Sequence, residues 1–345
     1  MAGPIHEFSR FPRAGRSGEG RIRRRRAERA PGAPPRVGVI YNAKSHRNRG
    51  TELDLPEGAD IAVARPVDRE EITGALAGFA ADGIDLLVVH GGDGTVRDVL
   101  TCGQGIFGDD WPALAVLPQG KTNALTMDLG TPDDWSLDTA IAALDGGSEI
   151  VRRPLAIYPS EDRDARVLGF VLGAGAFTTG IQVAQGAHRM GAFNASAVGL
   201  AVVWGILQTF FGGSSNRWRR GVPLSVALGA PGKPLDHSGF GEPDRRYLFV
   251  ASSLEAFPGG LKVFGKLRDG IKLAVIDSAR RRLMAMLPLV LAGYTPKWLR
   301  SGGIHQLAVE GFAMEIGEPF ILDGEAFPPG SYRVEQGPRL RFVVP

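Results

Sequence analysis

The stretch V-V-H-G-G-D-G-T-V-R-D-V-L, residues 88–100, holds the residue types best suited to chemistry. Gly91, Gly92 and Gly94 remove side chains where a strand turns into a helix, so backbone can approach a phosphate closely. The helix predicted from about Thr95 directs its free N–H groups into the same space. Asp93 would repel a phosphate unless a cation lies between them. The pattern therefore predicts an Mg²⁺-phosphate site in which Asp93 acts on the metal directly or through water.

A plainer alternative exists for this stretch, namely a glycine-rich turn in which Asp93 caps the following helix. A bare G-G-x-G would favour that alternative. The complete G-G-D-G-T at the end of a buried apolar run favours the nucleotide site.

Another candidate loop lies in L-A-V-L-P-Q-G-K-T-N-A-L, residues 114–125, which contains Gly120-Lys121-Thr122. A P-loop would need glycine at position 115, where this chain has Ala115, and Pro118 removes one of the backbone N–H donors. The P-loop interpretation is weak, so the triplet belongs to another kind of nucleotide site.

Two carboxylates, Asp323 and Glu325, stand in F-I-L-D-G-E-A-F near the C-terminus. An alcohol is a poor nucleophile, and a carboxylate within hydrogen-bond reach can take its proton during phosphoryl transfer. Spacing alone favours a different interpretation, a glycine-centred β-turn with exposed acids.

The elements that must position these residues alternate between strand and helix up to about residue 150. Residues 37–41 predict a buried strand, and Ile72, Leu76, Phe79 and Ala80 lie at helical spacing before Gly83. Two strand–loop–helix units follow, and a further helix is predicted over 136–144, capped by Asp134 or Ser136. This order predicts a Rossmann-like α/β domain with a parallel sheet over residues 36–150.

From residue 151 to 345 short apolar segments alternate with glycine and proline turns, which predicts a β-rich, β-sandwich-like domain. Two apolar segments interrupt this pattern. Residues 191–216 carry no charge, and residues 279–300 place arginines, a lysine and Trp298 around an apolar stretch. Buried helices are the plain interpretation, and contact with a membrane surface is the alternative. Neither segment predicts a secure transmembrane span.

Residues 1–35 form a basic tail with nine arginines against three glutamates, whereas the whole chain has a net charge of +3. The tail has too few large apolar residues to fold alone, so disorder is expected. It could attract anionic lipid headgroups. Nucleic-acid binding is disfavoured because interleaved aromatics and a basic folded domain are lacking. The single cysteine fits a reducing compartment.

Four motifs in order resemble the lipid kinase family that contains diacylglycerol kinase catalytic domains and the sphingosine and ceramide kinases. Y-N-A-K-S-H at 41–46 resembles N-P-x-S-G, and G-G-D-G-T at 91–95 matches without change. L-P-Q-G-K-T-N-A-L at 117–125 resembles P-x-G-T-x-N-D, and L-D-G-E-A-F at 322–327 resembles D-G-E. The resemblance covers about residues 36–335.

The resemblance implies a set of nucleotide-binding residues, with ATP and Mg²⁺ as cofactors and Asp93 at the metal. The set is Asn42, Lys44, Ser45, Gly91, Gly92, Asp93, Gly94, Thr95, Gly120, Thr122 and Asn123. It also implies that Asp323 or Glu325, at an interdomain cleft, is the catalytic base, with Asp93 as a further catalytic residue. The chain departs from the family at several positions. Ala43 and His46 replace the proline and the glycine of the first motif, and Lys121 is a local substitution. Ala124 replaces an aspartate of the loop at 117–125, and Ala274 replaces the second aspartate of a D-G-x-L-D strand.

The predicted function is ATP-dependent phosphorylation of a membrane lipid's primary hydroxyl, on diacylglycerol, ceramide or a sphingoid base. The expected location is cytoplasmic, peripherally on the inner face of a membrane, with the basic tail on the anionic surface. One alternative is a catalytically inactive nucleotide- or lipid-binding pseudokinase, suggested by Ala124 and Ala274. A less favoured alternative is an NAD kinase, which shares G-G-D-G-T but would need an Asn-Asp or Asn-Glu pair for the ribose.

Overall fold

The structure is a computed structural model that describes residues 5–14, 29, 33–45, 48, 53–56, 60–120, 122–181, 219–229 and 232–345. The strands of the N-terminal part are β1 Arg36–Tyr41, β2 Asp60–Ala64, β3 Leu86–Gly91, β4 Ala113–Pro118 and β5 Ser148–Arg152. Those that follow are β6 Leu155–Pro159, β7 Val167–Gly169, β8 Val171–Gly175, β9 Val222–Leu228, β10 Lys233–Pro234, β11 Arg245–Arg246, β12 Leu248–Ser252, β13 Ile271–Ile276, β14 Ile304–Val309, β15 Gly311–Ile316, β16 Phe320–Leu322, β17 Glu325–Phe327, β18 Gly330–Gln336 and β19 Leu340–Val344. The α-helices whose bounds lie within the described residues are α1 Arg69–Asp82, α2 Asp93–Phe107, α3 Ala124–Leu129, α4 Leu137–Gly146, α5 Arg281–Leu291 and α6 Leu299–Gly302.

The chain divides into two compact units. The parallel-sheet unit comprises Ser9–Pro154, Asp164–Leu168 and Gly337–Pro345, and the antiparallel unit comprises Met1–Phe8, Leu155–Arg163 and Gly169–Gln336. These are an α/β fold and an antiparallel β-rich fold, as the sequence predicted.

The parallel-sheet unit is built on one six-stranded sheet in the order β2-β1-β3-β4-β19-β5. Neighbouring strands from β2 to β19 pair in parallel, and β5 pairs with β19 antiparallel. Strands β3 and β4 are buried along almost their whole length, which is typical of a parallel sheet with helices on both faces.

The helices of this unit begin and end where local sequence directs. Asp68 caps α1 by accepting from the N–H of Glu71, and Gly83 ends it in the left-handed conformation. Ser136, one of two predicted caps, forms a capping box with Thr139 at α4. Helix α2 begins at Asp93, two residues before the predicted start, with Gly92 at the N-cap.

The antiparallel unit contains two sheets. One includes β10-β9-β15-β18-β6 in that order, and the other runs β14-β13-β12-β8-β16-β17. Helix α5 and the residues after it pack on the second sheet through Leu283, Met284, Val290 and Leu299, against Ile276 and Ile304 among others.

The structure corrects the predicted domain boundaries in two places. Strand β19 pairs with β4 and β5, so the last nine residues complete the parallel sheet instead of the β-rich domain. Part of the predicted disordered tail is ordered: Phe8 and Phe11 are buried, and Ile5 forms a bridge with Ala326. The apolar segment at 191–216 lies outside the described residues. None of the described helices is long and apolar enough to cross a bilayer.

Candidate functional site

Three predicted loops of the parallel-sheet unit begin at the carboxyl ends of adjacent strands. The first loop begins at Asn42 after β1, the second at Gly92 after β3 and the third at Gln119 after β4. The order β1-β3-β4 makes these strands neighbours. The carboxyl edge of an open α/β sheet is where ligands bind in this class of fold. The sheet topology therefore gathers motifs that are about fifty and about thirty residues apart in the sequence.

The second and third loops touch through glycine backbone. A Cβ built on Gly92 would lie 2.8 Å from the Cα of Gly120, and a Cβ on Gly120 would lie 2.8 Å from the Cα of Gly92. Real Cβ atoms do not approach backbone that closely, so neither position tolerates a side chain without moving a loop. A Cβ on Gly94 would have the Arg97 Nη2 atom, 4.0 Å away, as its nearest neighbour. The open space beside the helix start therefore lies at Gly94.

The Asp93 carboxylate links these two loops by accepting hydrogen bonds from backbone N–H groups. Its Oδ2 accepts from the N–H of Ala124 at 3.0 Å, and its Oδ1 accepts from the N–H of Leu125 at 3.3 Å. Asp93 therefore sits at the start of α3 and not at the cap of its own helix, where no side-chain cap bond forms. Burial raises the pKa of Asp93, although the two N–H groups act to lower it. No ion pair joins Asp93 to any described residue, so the anion lacks a compensating cation from that part of the chain.

The residues of the third loop are fixed by a local hydrogen-bond ring. Asn123 accepts from the N–H of Gly120 at 2.7 Å and donates to the Gly120 carbonyl at 3.1 Å. Its backbone is left-handed, with φ of 51°. In the described part of the chain the two non-glycine residues with positive φ are Asn123 and Asp323, both of them predicted site residues. Such conformations cost free energy and concentrate at functional sites.

The first loop is tied to the second through Asn42. Its amide donates to the Oγ1 of Thr95 at 2.8 Å, while its own Oδ1 accepts from the N–H of Lys44. Asn48, which the motifs did not indicate, donates to the carbonyls of Asn42 and His90 and is 3% exposed. The available signal in the sequence was a polar residue shortly after a strand end. The sequence does not show that this residue is buried.

Other predicted residues are less engaged. The Lys44 and Thr122 side chains are exposed, and Ser45 is buried with its N–H on the Asn42 carbonyl at 3.1 Å. Gly91 has no room for a side chain, because a Cβ at this position would lie 2.6 Å from the Cβ and Oγ1 atoms of Thr95. Lys121 lies outside the described residues.

Sequence reasoning missed Arg97, which lies one turn into α2. Its side chain is 3% exposed, and its Nε and Nη2 atoms donate to Asp98 at 3.1 and 3.0 Å. Asp98 also pairs with Arg69 at 3.3 Å, so one carboxylate serves two guanidinium groups. Within the described residues the Arg97 Nη1 atom is buried without a hydrogen-bond partner. This guanidinium group, paired with Asp98 on one side only, lies beside Gly94, where a phosphate would be expected.

The D-G-E motif of the antiparallel unit is the tight hairpin between β16 and β17. Asp323 and Gly324 occupy its two central positions with φ of 46° and 85°, so the turn interpretation of this motif is confirmed for its backbone. The Asp323 carboxylate accepts from the N–H groups of Phe170 and Val171 at 2.8 to 3.1 Å. Glu325 is held differently, since it is 41% exposed and its Oε2 lies 3.1 Å from the His6 Nε2. One acid is fixed by backbone, and the other is accessible.

The strand that resembles D-G-x-L-D is β13, where the predicted departure is Ala274. The neighbouring Lys272 is 1% exposed, and its Nζ donates to the carbonyls of Ser253 at 3.1 Å and Arg268 at 3.0 Å. An ammonium group of the chain thus occupies carbonyl oxygens that a bound cation would otherwise take. Across the described residues, no group of three or more His, Cys, Asp or Glu side chains is arranged as a metal site.

A single carboxylate at the site still fits Mg²⁺. This ion usually keeps several waters and binds through one or two carboxylates together with substrate phosphates. Asp93, with a raised pKa, open space beside it and no ion-pair partner among the described residues, has the charge that such an ion would complement.

Known proteins resemble this chain in sequence over its N-terminal part. Residues 36–152 match the family model described as diacylglycerol kinase catalytic domain. Lipid kinase YegS of Escherichia coli (strain K12) is 37% identical over 110 residues, which is 30% of this chain and 37% of that protein. A YegS-like lipid kinase relative from Cronobacter sakazakii is 30% identical over 108 residues, 30% of this chain and 36% of that protein. The matched part of the chain thus spans little more than a third of the length of these relatives.

Solved structures show the same fold over most of the chain. A crystal structure of a diacylglycerol kinase from Bacillus anthracis str. Sterne has a TM-score of 0.55 at 15% identity, covering 90% of this chain and 97% of that one. Two further structures from this organism, at the same identity and coverage, give TM-scores of 0.62 and 0.61. The resemblance to the lipid kinase family with a diacylglycerol kinase catalytic domain is confirmed, as is the predicted fold class.

Proposed function

We propose that this chain, whose residues 36–152 match the family model described as diacylglycerol kinase catalytic domain, is a kinase that transfers the γ-phosphate of ATP to a primary hydroxyl of a membrane lipid. The observation that carries the proposal is Asp93. A functionless turn would not be expected to place a carboxylate of raised pKa between two glycine loops without a compensating cation among the described residues.

The nucleotide would be held mainly by backbone and neutral side chains. Asn42, Thr95 and Asn123 fix the three loops through hydrogen bonds, and the first turn of α2 offers N–H groups toward Gly94. Mg²⁺ bound with ATP would neutralise phosphate charge and give Asp93 its counter-ion. Arg97 adds a positive charge close to Gly94.

In the reaction, the lipid hydroxyl oxygen bonds to the γ-phosphorus while the bond from that phosphorus to the β–γ bridging oxygen breaks, releasing ADP. The hydroxyl proton passes to a carboxylate. We assign this role to Asp323, because a base must be held in position and the Phe170 and Val171 amides fix its carboxylate. Glu325, exposed and paired with His6, would assist by orienting the acceptor.

The lipid substrate lies in a bilayer, so the proposed enzyme works at a membrane surface. We propose peripheral association at the cytoplasmic face, where the basic residues of the N-terminal tail add attraction to anionic lipids. Release by carbonate or high salt is the expected behaviour in membrane fractionation. Retention in the membrane after both treatments would contradict peripheral association.

The first experiment measures transfer of labelled γ-phosphate from ATP-Mg²⁺ to lipids in mixed micelles. The panel contains diacylglycerol, monoacylglycerol, ceramide and sphingosine, with NAD as a polar acceptor. Transfer to one lipid is expected, and transfer to NAD alone would replace the proposal with an NAD kinase.

Asp323→Asn and Glu325→Gln separate the two acids. Asparagine tolerates positive φ, so Asp323→Asn keeps the turn while removing the base, and we expect kcat to fall about 100-fold or more. Glu325→Gln should have a smaller effect on kcat. Glu335→Gln, which removes an acid on β18 of the same unit, is the matched control and should retain activity. A larger loss in Glu325→Gln than in Asp323→Asn would exchange the assigned roles.

A pseudokinase is the second candidate, favoured by one observation. At position 124 only the backbone N–H serves Asp93, because alanine supplies no carboxylate. ATP binding without transfer to any member of the panel would make this the better conclusion.

A further inference from the structure

The antiparallel unit contains a cavity of about 430 Å³ that none of the motifs indicated. It lies between β10, the residues before β13, and the segment from Thr295 through β14. Its apolar wall includes the buried side chains of Leu235, Phe264, Leu299 and Ile304. A cavity of this size holds part of an acyl chain or a small amphiphile.

The rim of this cavity is strongly basic. Lys233, Lys266, Lys297 and Arg300 line it from three separate segments of the chain, against one lining carboxylate, Asp236. Arg300 donates to Asp236, so part of its charge is matched, while the three lysines remain in excess. An apolar interior with a cationic rim complements an amphiphile whose head is anionic.

The surface beside the cavity has the composition of a membrane interface. Leu289, Tyr294 and Trp298 are about half exposed, at 52%, 53% and 46%, which is unusual for large apolar side chains in one short segment. Aromatic residues of this kind concentrate at bilayer–water interfaces. No acidic residue occurs between Asp277 and Glu310, whereas this interval carries three consecutive arginines at 280–282 together with Lys297 and Arg300.

Helix α5 connects this surface to the core. Leu283, Met284 and Val290 are buried, while Arg281, Arg282 and Leu289 are exposed. The sequence left two alternatives for this segment, a core helix or a membrane-contacting one. The structure shows a helix with a buried apolar face whose other face combines arginines with an exposed leucine.

We propose that the cavity and the exposed face of residues 289–300 together bind an anionic phospholipid from the bilayer surface. The phosphate would lie among Lys233, Lys266 and Lys297, an acyl segment would enter beside Phe264 and Ile304, and Trp298 would lie at the interface. This site extends the proposed function, because it recognises a phosphate that the hydroxyl-bearing substrate does not have. It would hold the enzyme on anionic membranes while the substrate is phosphorylated elsewhere.

The test uses the full chain without nucleotide, so it does not depend on catalysis. Flotation with phosphatidylcholine vesicles, with and without phosphatidylglycerol, measures binding to each surface. We expect binding to the phosphatidylglycerol vesicles, and an apparent Kd raised about tenfold or more in Lys266→Gln/Lys297→Gln, since each basic residue near an anionic surface contributes comparably. Thermal unfolding of the double variant checks that these exposed substitutions leave the fold intact.

A matched control removes the same charge elsewhere in the unit. Arg163→Gln/Arg333→Gln replaces two exposed arginines outside the cavity, and we expect less than a twofold change in Kd. If the control and the cavity variant lose affinity equally, net charge explains binding and the site is wrong. If the cavity variant binds like the unmodified chain, other basic residues such as the N-terminal tail carry the attraction and the site is again wrong.

A second measurement locates the lipid. Phosphatidylglycerol with brominated acyl chains should quench tryptophan fluorescence, and Trp298→Phe should remove most of that quenching. Equal binding of soluble glycerol phosphate in competition would show a site for free phosphate and overturn the lipid assignment. Equal binding of the unmodified chain to phosphatidylcholine vesicles would overturn recognition of the anionic head. Phosphoryl transfer in uncharged micelles would remain in each of these cases, which separates this inference from the proposed kinase activity.

Discussion

Asp93 of the parallel-sheet unit and Lys272 of the antiparallel unit are charged groups of opposite sign in contrasting surroundings. Asp93 accepts from two backbone N–H groups, and Lys272 donates to two backbone carbonyls. Lys272 is sealed at 1% exposure, so its charge is used entirely inside the fold. Asp93 is partly exposed beside the open space at Gly94 and has a raised pKa. A fully buried and hydrogen-bonded charge indicates a structural role, whereas a carboxylate of raised pKa beside open space indicates a ligand.

The largest expected effect is a loss of activity on substitution of Asp93, which tests its role in binding a ligand. Asp93→Asn should lower kcat/KM for phosphoryl transfer about 100-fold or more, because a neutral amide lacks the negative charge that would hold Mg²⁺ at the phosphates. The fold should persist, since the amide oxygen can still accept one of the two N–H groups. Steady-state kinetics and thermal unfolding on the same preparation check both statements. An active Asp93→Asn variant would remove the metal role.

Lys272→Met should do the reverse, lowering stability instead of nucleotide affinity. It leaves the Ser253 and Arg268 carbonyls without this donor, at a cost of about 2–4 kcal/mol in the free energy of unfolding. Denaturant unfolding measures the loss, and the ATP Kd of the folded fraction should be unchanged. Lys262→Met, at an exposed lysine of the same unit, is the control and should change stability by less than about 0.5 kcal/mol. A shift in ATP affinity in Lys272→Met would contradict a purely structural role.

Arg97→Met tests whether the buried guanidinium serves the nucleotide phosphates. We expect the Kd for ATP to rise about tenfold, which is the scale of one hydrogen bond from a charged group, while the Kd for adenosine stays constant. Titration calorimetry with both ligands gives the comparison. Arg69→Met is the matched control, because Arg69 shares Asp98 but lies over the Phe11 ring, 3.9 Å from its centroid. Equal losses in both variants would assign the effect to the Asp98 pair instead of to the phosphates.

The smallest expected effect is a pH dependence of stability. The pKa of Asp93 is higher in the fold than in the unfolded chain, so its neutral form is favoured by folding. That contribution is fully present below the unfolded pKa, near 3.8, and is lost as pH rises through the higher folded value. Relative to Asp93→Asn, the unmodified chain should lose stability as pH rises, and Mg²⁺ with ATP should restore it. A pH-independent difference between the two proteins would show that the carboxylate is already compensated.

His90 gives an opposite and independent trend. Burial lowers its pKa from 6.5 to about 4, so stability should fall as pH drops from 6.5 toward 4, where the unfolded chain binds a proton that the fold excludes. His90→Phe keeps a ring to stack on Tyr41 and should flatten that slope. Denaturant unfolding at several pH values measures both slopes.

Much of this protein was predictable from local sequence. Strand β1, helix α1 and its end at Gly83 follow from apolar spacing and glycine, because these depend on residues within one or two turns. Gly91 and Asn123 also depend on near neighbours in the sequence, Gly91 on Thr95 and Asn123 on Gly120, whereas Gly92 is required by the close approach of Gly120 from another loop. The remaining features depend on partners far along the chain, and spacing does not identify those partners.

The sequence by itself determined the two fold types, the three loops at strand ends and the D-G-E turn. Only the tertiary structure decided that Asp93 serves the N–H groups of α3, about thirty residues away, and that β19 closes the first sheet. It also decided that Lys272 is a sealed cation and that Arg97 is buried beside Gly94. The physical reason is burial: a charge acquires a structural or chemical role from the water it loses and the dipoles it meets, and both are set by packing.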